Sequence, residues 1–333
     1  MHTDPIDYSE GVLEPEAGAD ESPGRLAFDA GAGAGQRLDR YLAATVSGVS
    51  RTRLQRWIAL GAVTVDGAAA LPRRLLRGPE RIEVTPLPSE ADRSFAPDEI
   101  ALSIVHEDAD LLVLDKPAGL VTHPAPGHWR GTLMNGLLHA RPDSATLPRA
   151  GIVHRLDKDT SGLLMIARSE RGHERLTAAL AARRIGRRYL AVIHGGLAAP
   201  VRIDAPIGRD RRDRLRMAVV AAAQGKPAVT HVRPIANAAG VTLVECRLET
   251  GRTHQIRVHL AHHGHPLVGD ALYGGRPIVG FERQALHAWR LALDHPCSGL
   301  GLSFESGPPD DLRALLAALR LPTEPADLPE GVR

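Results

Sequence analysis

Residues 151–169, GIVHRLDKDTSGLLMIARS, decide how the rest of the chain is interpreted. A single acid, Asp157, lies two residues after Arg155 and directly before Lys158. The apolar run at 163–167 has the length of a buried strand. The segment therefore predicts one carboxylate among cations at the mouth of a buried strand.

Asp157 is expected to be ionised, because adjacent cations favour the charged form and lower the pKa of a carboxyl. An ionised carboxylate suits a nucleophile or a base and does not suit a general acid. Thr160, Ser161 and Gly162 are expected to shape the turn that presents it, with Gly162 allowing a close approach of backbone. The alternative is a salt-bridged surface aspartate at a strand end.

Two enzyme classes can be weighed against the same residues. A protein kinase has H-R-D-L-K, whereas here the acid of HRLDK is displaced by one position, and the chain has neither the Gly-rich loop nor D-F-G, so this class is excluded. A glycosidase needs a second carboxylate at a defined separation. Asp115, Asp159 and Asp270 stay open as that second group.

The charge of the chain is unevenly distributed. The 333 residues carry a net charge of +2, but residues 1–24 hold seven acids and no Lys or Arg, so the remainder carries +9. Arginine, the commoner cation in that remainder, suits planar phosphate contacts, which favours a polyanionic partner. No apolar run is long enough to cross a bilayer, and the acidic N-terminus does not resemble a signal peptide. A cytoplasmic protein is expected.

Composition and periodicity divide the chain into four segments, three of them before residue 100. Residues 1–35 are acidic and then rich in Gly and Ala, which predicts a disordered tail. Residues 36–85 predict two helices and a hairpin with an Asp66-Gly67 turn. Residues 86–99, rich in Pro, Ser and acids, are typical of a linker.

The two helices of the 36–85 module are basic, and they predict RNA binding. The candidate contacts on them are Arg37, Arg51, Arg53 and Arg56. A charged helix face that is merely solvated is the alternative.

The catalytic domain is expected at residues 100–325. Strands are mixed with a few helices without regular βαβ alternation, which favours an α+β fold with a mixed, largely antiparallel sheet. Examples are the strand RRYLAVIHG and the helix after Ser169, SERGHERLTAALAARR, which has a capping serine and an acid in its first turn.

The motif HRLDKDTSG resembles the signature H-R-L-D-x-x-T-S-G of the RluA/RluD family of pseudouridine synthases. The likeness covers most of the chain, through LLVLDKPAGLVTHPAPGH, RRYLAVIHG, ETGRTHQIRVHLAHHGHPLVGDALYG and ALHAWRLALDHP. The module at 36–85 is similar to the small RNA-binding domain of ribosomal protein S-four. The resemblance implies the pseudouridine synthase fold with this N-terminal module.

The resemblance also implies an activity, a substrate and residue roles. Uridine would become pseudouridine without a cofactor, after the base is extruded from its RNA. Asp157 would be the reactive carboxylate and Arg257 its partner. Tyr189 would stack on uracil and serve as the base that removes its C5 proton, and Arg155 would fill the vacated place. The subgroup it matches best modifies 23S RNA of the large ribosomal subunit, and a monomer with no protein partner is expected.

Two further residue groups have competing interpretations. Lys116 in LDKPAG is predicted to contact phosphate, against a solvated lysine at a strand end. His259 and His263 are spaced like metal ligands, but no acid or cysteine completes a site, so no metal is expected. The remaining alternatives are a non-catalytic RNA-binding ribosome-assembly factor, which has no need of Asp157, and a metal-dependent hydrolase.

Overall fold

The computed structural model describes residues 24–87, 94–125, 127–213 and 216–323. The chain divides into two units, whose described parts are 24–87 and 94–323. Among the described residues, no helix has both the length and the apolar character needed to cross a membrane.

The N-terminal unit packs two helices on a small antiparallel sheet of order β1-β4-β2-β3. The Ser50 hydroxyl caps the second helix by accepting from the Arg53 N–H, and Asp66 and Gly67, with φ of 52° and 76°, turn the hairpin between β2 and β3. Leu54 and Trp57, on one face of the second helix, are in its core. Its elements are α1 (Leu38–Thr45), α2 (Arg51–Ala59), β1 (Leu26–Asp29), β2 (Val63–Val65), β3 (Ala68–Ala69) and β4 (Arg81–Val84).

The predicted disordered tail is wrong in its C-terminal part. Residues 1–23 lie outside the described residues, but Leu26–Asp29 is a strand that pairs with β4 along its whole length. The Ala30 N–H donates to the Glu80 carbonyl, and Ala30 is fully buried. The pairing with β4 orders a segment whose own composition has little to bury.

The C-terminal unit is built on a nine-stranded sheet of order β5-β6-β7-β14-β8-β13-β12-β9, with β15 added beside β14. The strands of that sheet are β5 (Ile104–Glu107), β6 (Leu111–Lys116), β7 (Ser161–Ala167), β8 (Gly186–His194), β9 (Val201–Asp204), β12 (Val229–Ala238), β13 (Val241–Leu248), β14 (Leu286–Asp294) and β15 (Gly301–Glu305). A separate two-stranded sheet consists of β10 (Ile207–Arg209) and β11 (Met217–Val219). The helices of this unit are α3 (Leu133–Ala140), α4 (Glu170–Ala181), α5 (Gln255–His262) and α6 (Asp310–Ala318).

The sheet is antiparallel except where β7 meets β14. Every residue of β7 is buried, because helices cover both faces of the sheet there. Leu176 and Leu180 of α4 pack on one face, and Leu133 and Leu137 of α3 on the other. The predicted mixed, largely antiparallel α+β fold is confirmed.

The predicted linker, 86–99, is ordered at its C-terminal end. Residues 88–93 lie outside the described residues. The Asn135 amide donates to the carbonyls of Ser94 and Ala96 at 2.7 Å, and Phe95 packs against the core of the sheet. Residues 94–99 therefore belong to the C-terminal unit.

Candidate active site

The turn before β7 holds Asp157 at the end of the strand. The Thr160 N–H donates to the Asp157 carbonyl at 3.1 Å. Gly162 has φ of +111°, and a Cβ there would lie 2.2 Å from the Ala288 carbonyl oxygen of the parallel neighbour β14. Only glycine fits this position, so the predicted close backbone approach is confirmed.

Helix α5 brings Arg257 to the Asp157 carboxylate across 100 residues of sequence. Arg257 Nη1 donates to Asp157 Oδ2 at 3.0 Å, while its Nε and Nη2 donate to the two oxygens of Asp270 at 2.8 and 2.9 Å. The side chain of Asp270 is 1% exposed, that of Arg257 8% and that of Asp157 16%. The predicted pairing of Asp157 with Arg257 is confirmed.

Asp270 was left open by the sequence as a possible second catalytic carboxylate. Its bidentate contact instead fixes the plane of the Arg257 guanidinium, which leaves Nη1 directed at Asp157. Its place in the same motif as Arg257, ETGRTHQIRVHLAHHGHPLVGDALYG, was the signal available for this role.

The Asp157 carboxyl is held ionised by its neighbours. Burial by itself raises its pKa, but the charges of His254, Arg257 and Arg155 and the hydrogen bond from Arg257 outweigh burial and lower the pKa below its usual value. Burial lowers the pKa of His254, so its charge acts on Asp157 only at acidic pH, and near pH 7 the charge beside the carboxylate comes from Arg257 and Arg155. The site therefore presents an unprotonated oxygen at neutral pH.

Tyr273 and His254 support the ion pair, and sequence reasoning missed both. The Tyr273 ring lies 5.0 Å from the Arg257 guanidinium, in a cation–π contact. Its hydroxyl accepts from the Met217 N–H at 3.0 Å, which leaves its own proton for Nδ1 of His254 at 2.8 Å. His254 begins α5 with φ of +55°, so this contact secures a strained residue beside Arg257.

Tyr189 lies on β8 in the cleft that Asp157 lines, and it is 6% exposed. Burial raises the pKa of its phenol, so the hydroxyl stays protonated near neutral pH. Stacking on uracil and removal of its C5 proton both require Tyr189 to line this cleft, as it does.

A wider cavity of about 500 Å³ shares its rim with the Asp157 cleft. On the shared rim, Arg155 is exposed and Arg252 is half-buried. No carboxylate is among the described residues that line the wider cavity, whereas the other cations that line it are Arg149, Arg209, Arg211 and Lys226. Such a wall favours a polyanion at the entrance to the cleft.

The predicted phosphate contact of Lys116 is wrong. Lys116 is 1% exposed, and its Nζ donates to the carbonyls of Pro117, Leu120 and Lys158 at 2.8, 2.8 and 3.0 Å. All three protons of the ammonium are used, so none reaches a ligand. Lys116 instead ties the loop after β6 to the turn that carries Asp157.

In the N-terminal unit, two of the four predicted RNA contacts hold a buried acid. Arg37 and Arg51 donate to Asp39, which is fully buried and also accepts from Gln55 at 2.6 Å. Arg53 lies 5.2 Å from the Trp57 ring. Arg56 is exposed. Arg37 and Arg51 keep about a third to half of their surface in solvent, since their side chains are 38% and 49% exposed.

The histidines considered as metal ligands have other partners. His259 is fully buried, with Nδ1 at 2.9 Å from the Thr230 hydroxyl and Nε2 at 2.9 Å from the Ala205 carbonyl. The ring of His263 stacks on that of His265. Both nitrogens of His259 are thus engaged, which excludes it as a ligand in this arrangement.

Comparison with known proteins identifies the family. Residues 110–262 match the family model for RNA pseudouridylate synthase. The chain is 49% identical over 295 residues to the ribosomal large subunit pseudouridine synthase D of Nitrosomonas europaea, covering 86% of this chain and 85% of that protein. The chain belongs to the family of RNA pseudouridylate synthases. It is therefore an RNA pseudouridine synthase, an isomerase.

Other members of the RNA pseudouridylate synthase family support the same assignment. The protein of the same name from Pseudomonas aeruginosa is 48% identical, covering 86% of this chain and 92% of its own. Among solved structures, human RNA pseudouridylate synthase domain containing 1 superposes with a TM-score of 0.52 at 27% identity, over 68% of this chain and 98% of that one. The C-terminal unit thus has the fold of the pseudouridine synthases.

Proposed function

We propose that this pseudouridine synthase isomerises specific uridines of 23S RNA in the large ribosomal subunit. The relatives from Nitrosomonas europaea and Pseudomonas aeruginosa are named for the large ribosomal subunit, which supports this substrate. The observation that carries the chemistry is the ionised Asp157 carboxylate, held at 3.0 Å by Arg257 and opening toward a wall of cations.

Asp157 is proposed as the reactive group. The isomerisation breaks the bond between C1′ of the ribose and N1 of uracil and rejoins the same two fragments through C5, so no atom is gained or lost overall. Attack on the sugar, attack on the base and removal of a sugar proton all need a carboxylate without its proton. Arg257, supported by Asp270, keeps Asp157 in that state and directs its oxygen into the cleft.

The proposed substrate enters as an extruded nucleotide. The Asp157 cleft is narrow and its lining is mostly buried, so a uridine stacked inside an RNA helix cannot reach the carboxylate. Arg155 is proposed to fill the gap that the extruded base leaves, and its exposure at the rim supports this role. Tyr189 supplies an aromatic face for stacking.

The test is tritium release from C5-labelled uridine in transcripts of bacterial 23S RNA, with pseudouridine mapped by sequencing. Asp157→Asn should abolish release and leave RNA affinity within about twofold, because it removes the reactive charge and little contact area. Asp159→Asn, a carboxylate of the same turn, is the matched control and should remain active. Pseudouridine formation by the Asp157→Asn protein would contradict the assignment.

The N-terminal unit is proposed to bind RNA in the manner of the ribosomal protein S-four domain that it resembles. Arg40 and Arg56 are exposed on its helices. Arg40→Gln with Arg56→Gln should reduce the slope of log affinity against log salt by about 1 to 2, because counterion release scales with phosphate contacts. Arg313→Gln on α6 is the control. An unchanged salt slope would assign RNA binding to the C-terminal unit alone.

The proposal includes a monomeric enzyme that works in the cytoplasm, where ribosomal RNA is its partner and no protein partner is needed. The cleft that Asp157 lines takes all its residues from one unit of one chain, which supports a monomer. Sedimentation equilibrium at the concentrations used for tritium release checks this, and a dimer at those concentrations would contradict it.

A further inference from the structure

Arg187 is a buried cation that has no hydrogen-bond or ion-pair partner among the described residues. It lies on β8 and is 7% exposed. Its Nε is buried without a hydrogen-bond partner, and no carboxylate among the described residues forms an ion pair with its guanidinium. A buried charge is normally paired, because removing it from water is costly. A guanidinium kept in this state indicates a partner that arrives with a ligand.

The guanidinium of Arg187 faces the cleft that holds Asp157. Residues two apart on a strand share one face of the sheet, so Arg187 and Tyr189 lie on the same side of β8, and both line the cleft. A Cβ at Gly251 would lie 2.7 Å from Arg187 Nη1. Glycine at position 251, which also lines the cleft, therefore leaves the room that the guanidinium occupies.

A second buried donor without a partner belongs to another residue that lines this cleft. Nε2 of His154 accepts from the Met165 N–H at 3.0 Å, and burial lowers the pKa of this histidine to about 3, so the neutral ring carries its proton on Nδ1. Nδ1 is buried without a partner, and His154 lines the cleft. Two unpaired N–H donors around one cleft point to a ligand that presents hydrogen-bond acceptors.

We propose that Arg187 binds a carbonyl oxygen of the extruded uracil and stabilises the negative charge that the ring carries while it is detached from the ribose. This inference rests on the proposed function. When the C1′–N1 bond breaks, its electron pair goes to the uracil ring, where N1 and the carbonyl oxygens share it. The pair returns as the C5–C1′ bond, after which C5 loses a proton and N1 gains one.

Depth in the cleft decides between the base and a phosphate as the ligand of Arg187. Phosphates stay on the outside of an extruded nucleotide, where Arg155 and Arg252 line the rim. Arg187 lies beneath that rim against the backbone of Gly251. A hydrogen bond from Arg187 to a uracil carbonyl would also become stronger as the C1′–N1 bond breaks, because negative charge then develops on that oxygen. A desolvated cation stabilises such developing charge more than a hydrated one does.

The experiment replaces Arg187 by Met, which has similar length and no charge. Single-turnover tritium release from the 23S transcript should fall by about 100-fold or more, the usual cost of losing one such donor. RNA affinity and its salt slope should stay within about twofold of wild type. The melting temperature should be unchanged or higher, because a buried unpaired charge is removed. Arg187→Lys, which keeps the charge, should recover part of the rate.

Arg188→Met is the matched control. Arg188 is the next residue on β8, faces the other side of the sheet and donates to Glu245 at 3.2 Å. Its loss should lower stability and leave tritium release unchanged. An Arg187→Met protein with wild-type release, or with a lower melting temperature, overturns the inference, and so does a loss of affinity with a shallower salt slope, which would indicate a phosphate contact. If wild type itself releases no tritium, the proposed function fails instead.

Discussion

Replacing Arg257 by Met should shift the pH dependence of the reaction to higher pH. The Arg257 to Asp157 contact of 3.0 Å places the two side chains against each other with little solvent between them, at 8% and 16% exposure. Unit charges roughly 4 Å apart interact by about 4 kcal/mol at an effective dielectric constant of 20. One pKa unit corresponds to about 1.4 kcal/mol, so removal of the guanidinium should raise the pKa of Asp157 by up to about 3 units.

The sign of this effect follows from the lowered pKa of Asp157. Wild type keeps an ionised carboxylate throughout neutral pH, so its single-turnover tritium release should be flat from about pH 8 down to about pH 5. In Arg257→Met the carboxylate takes up a proton within that range, so release should fall as pH is lowered. Asp270 would also lose its cation, at an expected cost of about 3 kcal/mol in the free energy of unfolding.

The variant Asp270→Asn distinguishes the effect of the Arg257 charge on the reaction from the effect of the Arg257 orientation. This variant keeps the guanidinium beside Asp157 but loses the bidentate contact that fixes its plane. Release should be slower at every pH without a shift of the acid limb. Arg141→Met, which breaks a bidentate pair with Glu107 elsewhere in the unit, is the control for general destabilisation. An Arg257→Met enzyme with the wild-type pH profile would refute the electrostatic role of this arginine.

Three other predictions concern stability and can be measured by urea unfolding. Gly162→Ala should cost about 3 kcal/mol or more, because the new Cβ meets the Ala288 carbonyl at 2.2 Å, whereas Gly240→Ala, with φ of +78° and open space, should cost only about 1 to 2; equal costs would argue against the close approach. Burial lowers the pKa of His123 to about 3 in the folded protein, whereas the pKa in the unfolded chain is 6.5. The contribution of the neutral imidazole to the free energy of unfolding is therefore complete above pH 6.5 and is lost as the pH falls toward 3. His123→Leu should therefore reduce the stability loss between pH 7 and 5 by about 2 kcal/mol, and an unchanged pH dependence would show that another group carries it. Asp39→Asn should lower the free energy of unfolding of the N-terminal unit by about 2 kcal/mol, because Arg37 and Arg51 lose a charged acceptor. An unchanged free energy of unfolding would show that these ion pairs contribute no more than exposed surface pairs do.

Most elements could be predicted from the sequence because their signals are local. The Ser169 hydroxyl caps α4 by accepting from the Gly172 N–H, and Asp66-Gly67 turns the hairpin, as expected. Leu26–Asp29 was missed because its order comes from pairing with β4, more than fifty residues later. The composition of a segment shows how much apolar surface its own side chains can bury. It does not show which distant strand its backbone can pair with.

Local signals also predicted Asp157, because HRLDKDTSG is contiguous, and the family resemblance supplied its pairing with Arg257. The bond from Lys116 to the Lys158 carbonyl and the bidentate support from Asp270 were not predicted. Both are contacts between segments whose proximity depends on how the whole sheet is ordered. The same holds for the unpaired state of Arg187, since a missing partner can be recognised only when every neighbour is in place.

By itself the sequence determined the type of fold, the position of the reactive acid and the basic character of the chain, since periodicity, turn chemistry and charge act over a few residues. Tertiary structure alone decided which cations are exposed to bind a ligand and which are consumed inside the protein. From the sequence alone, Lys116 and Arg187 are equally plausible as phosphate contacts. The first is saturated by three carbonyls, and the second is left without a partner among the described residues in the cleft that Asp157 lines. That difference arises from burial and long-range packing.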